Sequence, residues 1–329
     1  MAADTGLMMR ADHEIHDGNA AFRRDVLAGL ARPQKAIPAR WFYDERGSEL
    51  FEDITRLPEY YPTAAETEIL GERGAQIALA VGPGRAVVEF GAGSARKTPL
   101  LLNSIAASAY VAIDISGDFL RESCARLAER FPELSIVPVE ADFTGPVHLP
   151  HDVAGLPLLG FFPGSTIGNL APLAAIDLLR SMRGTLGDSS MLLIGFDCIK
   201  ERSVLLAAYD DGAGVTAAFN RNLITRINSE IGGTMPEDAF EHCAVWNEAL
   251  ARIEMHLEAS RDLAFAVAGQ PFTMRRGETI HTENSHKYDN RSAGTLLLGS
   301  GWTPIARFSD SGKRFMVILA TASGDESAP

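Results

Sequence analysis

The sequence predicts an α/β fold: a seven-stranded, mostly parallel sheet that ends in an antiparallel hairpin and carries an inserted α+β domain. Three observations predict it. The apolar run Ala86–Phe90 reaches a glycine turn at Gly91 and Gly93, and a helical pattern follows from about Thr98. That is the strand, turn and helix that open nucleotide-binding α/β folds. Short apolar runs then alternate with segments of helical period. The last two apolar runs, 293–302 and 313–320, flank a turn around Ser309-Asp310-Ser311-Gly312 and read as a hairpin.

Taken in order, residues 1–19 read as a polar arm, and 19–31 as a short helix ended near Pro33. The segment Leu57–Thr63 carries two prolines around two tyrosines and reads as extended. Thr63 with Glu66 forms a capping box for a helix to about Val81. Beyond the glycine turn, 109–114 is a second strand with Asp114 at its end. A helix from Ser116 follows, with Leu120, Cys124, Leu127 and Phe131 on one face. Strands at 135–140, 156–162 and 191–196 complete the parallel set, with a helix from Pro172 between the last two.

Residues 199–291 are too many for a loop. Val215, Phe219, Leu223 and Ile227 mark a helix there, stopped at Gly232-Gly233. Ile253, Met255 and Leu257 alternate with polar residues, as do Leu263, Phe265 and Val267, so both runs read as half-buried strands. The expected division is a core of 62–198 plus 292–329, and a second domain of 20–61 plus 199–291.

Bulk properties narrow the function. The 329 residues are 46% hydrophobic and 22% charged, an ordinary globular composition. The net charge of −13 repels phosphate backbones, so no nucleic-acid partner is expected. Three scattered cysteines show neither metal nor disulfide spacing, which suits a reducing, cytoplasmic setting. No apolar run approaches the length of a membrane span. A monomer acting on a small molecule, without a metal, is the expectation.

The glycine turn alone leaves three ligand classes open. A dinucleotide turn wants a third glycine where Arg96 stands, and a phosphate loop wants one before Lys97, again at Arg96. An acidic residue on the strand before G-x-G, as in Glu89, Gly91 and Gly93, suits a class I S-adenosylmethionine (SAM) turn. In open parallel sheets ligands bind beyond the carboxyl ends of the strands, where Asp114, Asp142, Phe143 and Asn169 fall. Asp114 suits ribose hydroxyls, Asp142 an adenine amine with Phe143 against the ring, and Lys97 a ligand carboxylate. In the insertion, Glu283 and Ser285 point to one side of an extended chain and offer an acceptor and a donor–acceptor, which suits an imidazole. His281 and His286 beside them make no metal site by themselves.

Four segments together resemble the histidine-specific SAM-dependent methyltransferase family: Trp41–Phe51, Leu57–Thr63, Phe162–Asn169 and Ile280–Tyr288. The likeness runs from about residue 14 to 321. It implies a class I methyltransferase core with a substrate domain made from the N-terminal segment and the insertion. It further implies trimethylation of the α-amino group of L-histidine, the first step of ergothioneine biosynthesis. By the same resemblance SAM contacts Tyr60, Gly91, Lys97, Asp114, Asp142 and Phe143. The histidine carboxylate meets Asn169 and Tyr209, and Glu283 and Ser285 read its imidazole. Met255 and Phe51 line the pocket, with Tyr43 and Thr166 beside the amino group. Tyr43 and Asn169 are then the residues that orient a neutral amine for attack.

Overall fold

The computed structural model describes residues 19–93 and 95–322. The expected polar arm lies outside them save for residue 19. In chain order the first elements are α1 (19–30), β1 (Lys35–Ala36), α2 (Glu45–Ile54), α3 (Tyr61–Glu72), α4 (Gly74–Val81), β2 (Ala86–Phe90), α5 (Thr98–Ser104) and β3 (Ala109–Asp114). There follow α6 (Gly117–Arg130), β4 (Ser135–Glu140), β5 (Leu158–Phe162), α7 (Pro172–Leu186), β6 (Met191–Asp197), α8 (Arg202–Tyr209) and α9 (Val215–Ile231). The chain continues through β7 (Phe240–Asn247), β8 (Arg252–Ala259), β9 (Leu263–Val267), β10 (Gln270–Met274) and β11 (Thr279–His286). It ends with α10 (Asn290–Gly299), β12 (Trp302–Ser309) and β13 (Phe315–Ala322). Contacts divide it into two compact units. One joins the residues up to Tyr60 with Glu201–Ser285, and the other joins Tyr61–Lys200 with the residues from His286 onward.

The second unit is built on a seven-stranded sheet of order β12-β13-β6-β5-β2-β3-β4. Strands β6, β5, β2, β3 and β4 run parallel, and β13 lies antiparallel between β6 and β12. Helices cover both faces, so the central strands are buried along their length rather than on alternate residues. Every residue of β2 is buried. Ala86, Val88 and Phe90 enter a core with α7 and α10, while Val87 enters one with α3 to α6. Trp302 is fully buried, and its indole N–H donates to the Leu179 carbonyl at 2.9 Å, fixing the start of β12 to α7.

The first unit contains a four-stranded sheet, β1-β11-β8-β7, and the separate hairpin β9-β10. Along β8 the even and odd positions alternate between half-buried and buried, with Ile253, Met255, Leu257 and Ala259 inside. Helix α9 buries Phe219, Leu223, Ile224 and Ile227.

Several expectations are corrected. The run 293–302 is not a strand. Asp289 caps α10 in a reciprocal pair with Ser292, and Ala293, Leu296 and Leu297 follow at helical spacing as a buried stripe, while Leu298 faces solvent. The outer hairpin strand is β12, and Asp310 closes the turn by accepting the N–H groups of Arg314 and Phe315. The Thr63–Glu66 capping box does not form. The helix already begins at Tyr61, with Pro62 in a first turn that leaves its missing N–H harmless, and it is interrupted at Arg73 before α4. Glu66 is instead fully buried. Strand β7 and helix α8 were not foreseen.

Glu89, the acid of the glycine motif, also turns inward. It is 2% exposed, and its Oε2 accepts from the hydroxyls of Thr98 at 2.6 Å and Tyr110 at 2.8 Å, tying β2 to α5 and β3. Burial raises its pKa to about 7, against the lowering effect of those hydroxyls and Lys97. The folded state therefore holds this proton more tightly than the unfolded chain does. The cost of burying the ionised form is absent below pH 4.5, grows as pH rises, and is complete near pH 7 at about 3 kcal/mol. Glu89→Gln should flatten the fall in stability between those limits, measured by urea unfolding at several pH values. An unchanged slope would mean that Glu89 ionises normally.

Candidate functional site

In the sheet unit, the candidate residues collect at the carboxyl ends of adjacent strands. The turn after β2 uses Gly91 at φ 70° and Gly93 at φ 49°, a region costly for other residues. The Gly91 and Ala92 N–H groups both donate to the Ile113 carbonyl, at 2.9 and 3.1 Å. The Gly93 N–H donates to Asp114 Oδ2 at 2.9 Å, and the Ser116 N–H donates to Asp114 Oδ1 at 3.0 Å. The turn is thus pinned to the end of β3. After β4, the exposed Asp142 accepts the Thr144 N–H. The Phe143 ring meets Phe90 and Phe162 edge-on, and a Cβ on Gly91 would touch it at 3.4 Å. A glycine backbone, an aromatic ring and two carboxylates therefore share one rim.

Lys97 stands at the start of α5 and is ion-paired with Glu66, whose two oxygens also accept the Gly164 N–H at 3.1 and 2.8 Å. Glu66 thereby joins α3, α5 and the turn after β5. In that turn Thr166 is exposed and donates to the Pro163 carbonyl, and Asn169 is half-buried at its end. Ser165 adopts φ 56°, and its Oγ accepts the Asp197 N–H at 2.9 Å. A side chain on Gly168 would meet the His286 backbone at 2.8 Å, so only glycine fits.

The first unit gathers the aromatic candidates. Tyr43 stands edge-on to Phe51 at 5.6 Å and to Phe219 at 5.8 Å. Phe51 meets Tyr60 at 6.3 Å, and Tyr60 meets Tyr209 at 6.3 Å. Tyr60, expected with the SAM residues, also stands in this aromatic wall. The hydroxyls of Tyr209 and Ser285 lie 2.7 Å apart and both residues are buried, so α8 holds the end of β11. Although 42% of Tyr43 is exposed, burial of its hydroxyl, then the charges of Glu283, Tyr60 and Tyr209, raise its pKa well above 10. It is a neutral phenol at physiological pH.

Met255 is buried on β8. Its carbonyl accepts from Thr282 Oγ1 at 3.0 Å, and the same hydroxyl donates to Asn220 Oδ1 at 2.8 Å. The fully buried Asn220 also donates to the His256 carbonyl, and its Nδ2 lies 2.9 Å from His242 Nδ1. With Nδ1 accepting, His242 Nε2 carries the proton and donates to the Tyr209 carbonyl at 2.7 Å. Asn220 thus connects α9 to β7, β8 and β11 and fixes the backbone behind Met255 and Tyr209. The sequence signal was an amide adjoining the apolar stripe of Phe219 and Leu223.

A parallel sheet whose last strand inserts antiparallel, with a glycine turn after its first strand and a carboxylate ending the next, is the class I SAM-dependent methyltransferase fold. Within that class, the family model described as "Histidine-specific methyltransferase, SAM-dependent" matches residues 22–322, and the chain belongs to that family. It is 38% identical to Histidine N-alpha-methyltransferase of Mycobacterium tuberculosis, covering 94% of this chain and 98% of the relative. Histidine N-alpha-methyltransferase of Mycolicibacterium smegmatis is also 38% identical, over 91% of this chain and 94% of the relative. Ergothioneine biosynthesis protein 1 of Schizosaccharomyces pombe is 24% identical over 84% of this chain, which spans 37% of that protein.

Proposed function

We propose that this chain transfers methyl groups from SAM to the α-amino nitrogen of L-histidine, three times in succession, giving hercynine as the first step of ergothioneine biosynthesis. The observation that carries the reading beyond the family is on β11. A carboxylate and a hydroxyl two residues apart, Glu283 and Ser285, are backed by an aromatic wall, and Tyr209 holds the hydroxyl. An imidazole ring fits such a pair, with one N–H for the carboxylate and one nitrogen for the hydroxyl.

The rim of the sheet unit suits SAM. Gly91 leaves room against Phe143 that a side chain would fill, Asp114 is held at the turn for the ribose hydroxyls, and Asp142 takes the adenine amine. Lys97, steadied by Glu66, takes the carboxylate. The bound sulfonium supplies an already activated methyl group, so the protein's work is placement and exclusion of water. Asn169 and Tyr209 hold the substrate carboxylate, Phe51 and Met255 line the ring pocket, and Thr166 borders the amine. Tyr60 is also assigned to SAM, and its ring meets Phe51 and Tyr209.

The amine must be neutral to attack. Tyr43 cannot be its base at neutral pH, since its phenol holds its proton. Tyr43 and Asn169 instead orient the amine, and aromatic faces at Tyr43 and Phe51 steady the growing methylammonium. The deciding experiment is calorimetry with S-adenosylhomocysteine and then histidine, followed by mass spectrometry of the product formed from SAM. Histidine should gain three methyl groups, while tryptophan and simple amines gain none. Preferred methylation of another amine would replace the substrate assignment.

Gly91→Ala tests the SAM rim. The φ of 70° costs an alanine about 1–2 kcal/mol, and its methyl would occupy the space against Phe143. Affinity for S-adenosylhomocysteine should fall by roughly tenfold. Unchanged affinity by calorimetry would remove Gly91 from the site.

A further inference from the structure

Glu254 and His256 project from β8, and His281 projects from the neighbouring β11. Their ligand-capable atoms all lie within 4.8 Å of one another. The two imidazole rings stack at 4.9 Å with an angle of 25° between planes, and Glu254 Oε2 lies 3.2 Å from His256 Nε2. The other carboxylate oxygen, Oε1, is held by Arg252 Nε at 2.8 Å and Asn247 Nδ2 at 2.9 Å. Residues 254 and 256 are far from 281 in the chain, so the cluster is visible only once the strands are neighbours.

One atom in it is unsatisfied. When His256 Nε2 carries its proton toward Glu254, its Nδ1 is a buried acceptor with no hydrogen-bond partner. The network behind Met255 uses the His256 backbone carbonyl and not its side chain.

We propose that Glu254, His256 and His281 form a binding site for a divalent transition-metal ion of the zinc class, separate from methyl transfer. Two imidazoles and a carboxylate are a zinc ligand set, with water as the fourth ligand, whereas magnesium and calcium favour oxygen alone. Arg252 and Asn247 orient the carboxylate, as hydrogen bonds to metal ligands generally do. The positive charge of Arg252 also opposes the ion, so micromolar rather than nanomolar affinity is expected. A bound ion would join β8 to β11 through His281, whose Nε2 lies 2.9 Å from the Glu283 carbonyl.

The test titrates the full chain with Zn2+ alone by calorimetry, beside Glu254→Gln and His256→Gln. The site predicts one ion per chain and a loss of affinity of at least roughly tenfold in each variant. Both variants should keep histidine-dependent methyl transfer, which shows that they fold. Co2+ should give the visible absorption of a four- or five-coordinate site in the parent chain and not in the variants. Absence of binding tighter than millimolar overturns the proposal, as does equal affinity in all three proteins.

Discussion

Replacing Glu283 by alanine should raise the KM for histidine roughly ten- to a hundredfold, since a hydrogen bond to a charged partner contributes about 1.5–3 kcal/mol. Affinity for SAM should stay within about twofold, inside the error of one weak contact. The reason for the split is location: Glu283 lies on β11 in the unit with Tyr43, Phe51 and Tyr209, while the SAM candidates lie in the sheet unit. A substrate analogue without ring nitrogens should bind the parent and the variant equally, because neither offers it a polar bond. Glu283→Gln should sit between the two, since an amide oxygen still accepts. Equal loss of histidine and SAM would point to misfolding of β11, and unchanged histidine KM would remove Glu283 from the pocket.

The parallel strands were legible because β2, β3 and β6 are continuous apolar runs bounded by turn residues, the signature of strands buried on both faces. The same rule misread α10, whose three consecutive leucines look like a buried strand until the Asp289–Ser292 cap is noticed. Glycines and strand-end acids carried the rim at Gly91, Asp114 and Asp142, since local backbone geometry sets their place. Groups that act across the chain were not legible. Glu66 had the spacing of a helix cap, yet it serves Lys97 and Gly164 from 31 and 98 residues away. Asn220 adjoins an apolar stripe whose period gives no hint of its three partners. Periodicity encodes which face is buried, not which distant polar group meets it there.

Asp197 ends β6, and its loss should be the most damaging single change to stability. It is 1% exposed, and its carboxylate meets Lys287 at 2.8 Å, Lys200, and the Tyr61 hydroxyl at 2.8 and 2.9 Å. Lys287 is itself fully buried, and Lys200 also donates to the Tyr61 hydroxyl and the Cys198 carbonyl. Burial alone would raise the pKa of Asp197, but the attraction of Lys287 and then Lys200 outweighs it and holds the carboxyl below 3.8. Burial lowers the pKa of Lys200, with Asp197 opposing that shift. Asp197→Ala strands the buried Lys287 ammonium and the partly buried Lys200 ammonium without their counter-charge, and breaking such a cluster costs about 3–5 kcal/mol. Urea unfolding at neutral pH should show that loss; a change below about 1 kcal/mol would mean that water replaces the carboxylate. The pH dependence has a fixed sign. Because the folded pKa lies below the unfolded one, the stabilisation from Asp197 is complete above pH 3.8 and disappears as pH falls through the lower folded value. The parent should therefore lose this contribution on acidification, whereas Asp197→Ala, having none to lose, should unfold with a shallower acid limb.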